Sequence, residues 1–194
     1  MQAKIKDHKI TTLSSRLNLK SLVSSESIGL IIALIVMIVT FSFLSPNYFT
    51  SKNFMNILVS ASLIGLIAVG EAMLLIGGFL DLSPGAVAAF SGVFATMLLN
   101  WGFNWYTTFL LVILSGVVVG FINASIINGL KINAFIATLA TQSIFRGFAY
   151  ILCDGRPIFA NDPTFLKIGV GRILGVPIPV AILIFTFIVF TVIL

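Results

Sequence analysis

The chain has 194 residues, of which 59% are hydrophobic and only 9% charged. A soluble domain carries about 25% charge, so the composition excludes an ordinary soluble enzyme and indicates an integral membrane protein. The net charge of +5 is no nucleic-acid signal, because five of the eleven basic residues (Lys4, Lys6, Lys9, Arg16, Lys20) fall within the first twenty positions.

Those five cations belong to a polar tail over residues 1–26, and the positive-inside rule places that tail in the cytoplasm. Residues 27–194 are read as one transmembrane domain, an all-α polytopic bundle of about six spans. The first span is Ile28 to Leu44, closed by Ser45, Pro46 and Asn47, with Tyr48 and Phe49 at the interface. A cleaved secretory signal is disfavoured here, since the apolar run is span-length and no small-residue cleavage site follows. The second span runs from Phe54 to Gly78 and is broken only by Glu71. From Leu82 to Leu130 there are 49 residues without an Asp, Glu, Lys or Arg. A span needs about 20 apolar residues, so this run crosses twice.

The third span begins at Ser83, with Ser83 as N-cap and Pro84 at the first helical position, and reaches Leu99. A turn with both tryptophans, Asn100 to Tyr106, forms an aromatic interface belt. The fourth span is Thr107 to Gly129, ending at Lys131. The fifth, Phe135 to Cys153, contains Arg146 and is expected to be short or irregular. A polar loop is expected over Asp154 to Arg172, and the sixth span is Val176 to Leu194. From a cytoplasmic N-terminus, Asp81 and Lys131 fall inside and the Trp101–Tyr106 turn outside. The Asp154–Arg172 loop also falls outside unless the fifth segment is re-entrant. The apolar run reaches Leu194 with no polar tail after it, and a fragment of a longer chain is expected.

The segment Gly77-Gly78-Phe79-Leu80-Asp81-Leu82-Ser83-Pro84-Gly85 puts an acid and helix breakers between two spans. Irregular backbone at membrane depth must be shielded by protein or line a cavity, which points to passage of a solute. Asp81 and Ser83 are both sited to cap the third span, and a gating or substrate role would be additional to capping. Glu71 either faces a solvated pathway or pairs with Arg146, or is a protonated acid hydrogen-bonded to a neighbouring helix. Gly116, Gly120 and Ala124 recur every four residues, a small-residue strip suited to helix packing. Asn123 and Asn128, near that strip, are either inter-helix hydrogen bonds or pathway lining. Thr138, Gln142 and Arg146 also recur every four residues, with Thr141 beside them. They give the fifth segment one polar face, either a pathway wall for a hydroxylated solute or a buried polar seam.

The lone Cys153 excludes an intramolecular disulfide, and one Cys with one His excludes a zinc cluster of ordinary ligand spacing. No phosphate-binding loop is present, and no triad surrounds His8, so neither ATP hydrolysis nor covalent chemistry is expected of this chain.

These residues resemble a known family, the permease subunits of ABC importers for ribose, xylose, galactose and related simple sugars. Asp81-Leu82-Ser83-Pro84-Gly85 falls on the second half of that family's Gly-Gly-Ile-Asp-Leu-Ser-x-Gly stretch. Ile132-Asn133-Ala134-Phe135-Ile136-Ala137-Thr138-Leu139-Ala140-Thr141 falls on its Ile-Pro-Pro-Phe-Ile-Ala-Thr-Leu-Gly-Thr stretch. Arg146-Gly147 and Asp154-Gly155-Arg156-Pro157-Ile158 resemble the continuation, and the match runs in order from about Phe49 to Val180. Phe79 stands where a second family glycine is expected, Asn133 and Ala134 replace two prolines, and Ala140 replaces a glycine. Glu71 stands where the family more often has an uncharged residue. Leu194 precedes the position of the family's cytoplasmic element that docks on the ATPase.

The resemblance implies a permease subunit translocating a monosaccharide across the bacterial plasma membrane, with no cofactor of its own. It implies two permease copies, a separate ATPase subunit that uses ATP, and an extracytoplasmic solute-binding protein, with membrane lipid around them and no nucleic acid. The rival readings are a branched-chain amino-acid permease and a truncated membrane protein that does not transport.

Overall fold

The computed structural model describes residues 25–193, so the basic tail expected over 1–26 lies outside the described residues except for its last two. One compact unit runs to Asn53 and a second begins at Phe54. The first contains α1 (Ser25–Leu44) and the turn into α2 (Ser51–Ile76). In that turn the Thr50 hydroxyl donates to the Asn47 carbonyl and accepts the Asn53 N–H, which caps α2. The Tyr48 ring stacks on Phe41 at 6.3 Å.

The second unit carries most of α2, then α3 (Pro84–Asn100), α4 (Trp105–Leu130), α5 (Ala134–Leu152), α6 (Pro163–Val170) and α7 (Ile178–Ile193). A short antiparallel hairpin, β1 (Arg172–Ile173) with β2 (Val176–Pro177), joins α6 to α7. Helices α2, α4 and α5 are each long and apolar enough to cross a membrane, and α3, α7 and residues 28–44 of α1 are shorter apolar helices.

Helix ends follow the local chemistry. Gly78, at φ 79°, ends α2: its N–H bonds the Leu75 carbonyl and the Phe79 N–H bonds that of Leu74. This pattern needs a left-handed residue after the last turn, which glycine adopts without a Cβ clash. Gly102 closes α3 the same way, with bonds to Leu99 and Leu98. Asn104 then caps α4 by accepting the Thr107 N–H, and Asn133 caps α5 by accepting that of Phe135. Asn133 thus starts the helix by side-chain capping where the family pattern has prolines.

Helices α3, α4 and α5 pack on one another. Their buried apolar residues are mostly small: Ala86 and Ala95 on α3, Val119 on α4, Ala137 and Ala149 on α5, with Leu98 and Leu99 at the end of α3. Small side chains let backbones approach, which matters because lipid removes the hydrophobic drive between helices. Phe90 of α3 meets Phe145 of α5 edge-on at 5.1 Å.

Two expectations are corrected. The fifth segment is one unbroken 19-residue helix. Arg146 is exposed on it and, as a good helix former, leaves the backbone ladder intact. The Asp154–Arg172 stretch is not wholly loop: Asp162 accepts the Phe165 N–H and Pro163 stands at the first helical position, which together start α6. The Asn100 amide donates to the Phe159 carbonyl at 3.0 Å, which fixes the α5–α6 connection at the same end of the unit as the α3–α4 turn.

A polar junction of α3, α4 and α5 and the cavity beside it

The start of α3 is set by Asp81, whose Oδ1 accepts the Ser83 N–H at 2.7 Å. Ser83 holds the N-cap position, but its hydroxyl makes no capping bond. That hydroxyl turns inward and accepts from Asn123 Nδ2 at 3.2 Å. Asn123 Oδ1 in turn accepts from the Thr141 hydroxyl at 2.5 Å. Ser83, Asn123 and Thr141 are all buried. One carboxamide therefore joins α3, α4 and α5, using its donor toward one helix and its acceptor toward another. The side-chain capping expected of Ser83 and Asp81 is not made: Asp81 orders the turn before α3 through the Ser83 N–H, and the Ser83 hydroxyl serves the junction.

Beside the junction lies a cavity of about 280 Å³. Asp81, Asn123, Asn128 and Thr138 supply its polar wall, and Leu74, Phe79 and Ile127 are among its apolar lining. Thr138 itself is buried, with its hydroxyl donated to the Ala134 carbonyl at 2.8 Å. The chemistry on offer is one carboxylate and two carboxamides in a mostly apolar wall, suited to holding an uncharged hydroxylated solute without reacting with it. Gly120 and Ala124 of the small-residue strip also line this cavity. A Cβ placed on Gly116 or Gly120 would meet nothing within 4 Å, so no helix of the described residues closes on the upper strip.

The polar face of α5 is graded. Thr138 and Thr141 are buried, Gln142 is half-buried and Arg146 is exposed. Only the first two reach the junction or the cavity. Glu71 lies near Asp81. Its Oε1 is buried without a hydrogen-bond partner among the described residues, so a pairing with Arg146 is not formed through that oxygen.

Sequence reading missed two buried hydroxyls. Ser62 donates to the Val59 carbonyl, and Thr108 is fully buried with its hydroxyl unpartnered among the described residues. Neither stands in a polar pattern, so no spacing signal marks them. Asn128 lies one turn beyond Ala124 on the strip, and that position was the available signal for its place on the cavity wall.

The model of the family described as branched-chain amino acid transport system / permease component matches residues 53–194. The ribose import permease protein of Haemophilus influenzae is 36% identical over 156 residues, which cover 78% of this chain and 48% of that protein. The L-arabinose ABC transporter permease protein of Azospirillum brasilense is 33% identical over 162 residues, 84% of this chain and 48% of that one. The D-allose transport system permease protein of Escherichia coli is 32% identical over 160 residues, 80% and 48% of the two chains. The chain spans about half the length of the curated relatives it matches. No solved structure matches it. With its apolar helices and the match over the whole of the second unit, the chain is a multi-pass helical membrane protein that belongs to the branched-chain amino acid transport system / permease component family.

Proposed function

We propose that this chain is the permease subunit of an ATP-driven importer, in the bacterial plasma membrane, that moves a monosaccharide such as ribose, xylose or a related sugar. The observation that carries the reading is the likeness to permeases named for ribose, L-arabinose and D-allose, each aligned over more than three quarters of this chain. The cavity beside Asp81, with a few polar groups in an apolar wall, supports it, because a sugar offers hydroxyls and no charge and needs donors and acceptors in such a wall. Asp81, Asn123, Asn128 and Thr138 would line the path at that level. Glu71 would act through Asp81, and Ser83 and Thr141 would hold Asn123 in place.

The chain does no chemistry on the solute. Alternating access would be driven by a separate ATPase subunit, a solute-binding protein would deliver the sugar outside, and a second permease copy would complete the pathway. The N-terminus would lie in the cytoplasm. A second reading, import of branched-chain amino acids, is favoured by the description of the family model. Uptake competition separates the two. In cells with the assembled importer, excess pentose or hexose is expected to abolish uptake of labelled ribose while leucine and isoleucine leave it unchanged. The opposite pattern would sink the sugar reading.

A further inference from the structure

A second cavity, of about 320 Å³, lies between the first turns of α2 and the α6–hairpin element. Asn56, Ser60 and Arg172 give its polar lining, and Met55, Val59 and Val170 its apolar lining. We propose that this cleft holds the phosphate headgroup of a bilayer phospholipid, with an acyl chain lying over the apolar side.

The polar groups select the headgroup. Arg172, Asn56 and Ser60 bring a guanidinium, a carboxamide and a hydroxyl to the lining, which holds no acid and no aromatic residue. A site with one net positive charge and no carboxylate favours an anionic acceptor, and the guanidinium fork matches phosphate oxygens. Arg172 is held in register by its backbone pairing with Pro177 in the hairpin. The turn that feeds it is tight, since a Cβ on Gly171 would run into the Lys167 carbonyl and the Ile178 side chain.

The surroundings select a lipid over a free anion. Val170 is 80% exposed and Leu174, at the hairpin tip, 99% exposed, with Ile173 between them also exposed. A patch of that kind beside an anion site is costly in water and suited to acyl chains. Depth agrees. Helix α2 has 26 residues, about 39 Å at 1.5 Å per residue, against a hydrocarbon core of about 30 Å. Centred on that core it overhangs by about 4–5 Å at each end. Asn56, five residues along the helix, then falls close to the boundary between headgroups and acyl chains.

Native mass spectrometry of the purified protein in mild detergent, titrated with phosphatidylglycerol, tests the proposal. The wild type is expected to retain one lipid tightly. Arg172→Gln should bind it about tenfold more weakly, the loss of a charge-assisted hydrogen-bonded pair, and Arg172→Lys should fall between. Because Arg172 is exposed, thermal unfolding without added lipid should match the wild type. Equal lipid affinity in Arg172→Gln and wild type would overturn the proposal. So would displacement of the lipid by millimolar inorganic phosphate, which marks a free-anion site, or by a pentose, which marks a solute vestibule.

Discussion

One oxygen of Asp81 holds the turn that starts α3 and the residue also borders the cavity, and two substitutions separate these roles. Asp81→Asn keeps an acceptor for the Ser83 N–H and removes the charge. Asp81→Ala removes both, and loss of one such hydrogen bond costs about 1 kcal/mol. The expected outcome is that Asn unfolds like the wild type in detergent while Ala is destabilised by about that amount. Both should lower sugar uptake by the assembled importer. Wild-type uptake by Asp81→Asn would take the carboxylate out of the pathway. The first role is partly legible in the sequence, since an acid two residues before a Ser-Pro start marks where a helix begins, although the bond it makes orders the turn and does not cap the helix. What spacing does not reveal is that the Ser83 hydroxyl leaves the cap for Asn123, a residue forty positions away. Sequence reading leaves Asn123 open between helix bonding and pathway lining; its carboxamide does the first, and the residue also borders the cavity.

At the scale of elements, two glycines are tight for different reasons. A Cβ on Gly171 meets backbone, the Lys167 carbonyl, which cannot move without undoing the bond from the Gly171 N–H that ends α6. A Cβ on Gly65 of α2 meets the far end of Leu183 of α7 at 2.9 Å, and a leucine tip can rotate. Gly171→Ala is therefore expected to cost about 1–3 kcal/mol and to expose the α6–hairpin segment to limited proteolysis. Gly65→Ala should cost about 0.5–1.5 kcal/mol, the scale of an off-rotamer side chain, and leave that segment resistant. Equal protection in the two variants would remove the tight turn as the reason for glycine at 171. The long spans were legible because an uncharged run of 49 residues has few other uses. Helix α6 was hidden because eight residues with one lysine give no sustained period, and only Asp162-Pro163, a cap followed by a helical proline, marks its start. Arg146 misled in the opposite direction, since a cation read as an interruption is accommodated on an exposed face.

For the whole molecule, the question with functional consequence is which end of the second unit faces out. The hydrogen bond from Asn100 to the Phe159 carbonyl puts the α3–α4 turn and the α5–α6 connection at one end, and Cys153 stands there as the residue that follows α5. Asp81 and Lys131 belong to the opposite end, where α3 begins and α4 stops. The proposed import direction requires the Cys153 end to be outside. A chain with a single cysteine carries its own reporter, and Cys153 is partly exposed. A membrane-impermeant maleimide is expected to label Cys153 in intact cells. A Cys153→Ser, Lys131→Cys double variant should label only after the membrane is permeabilised. The reverse pattern would place the sugar-delivering partner at the Asp81 end and turn the proposed pathway upside down. The lone cysteine thus reports the direction in which the proposed pathway runs.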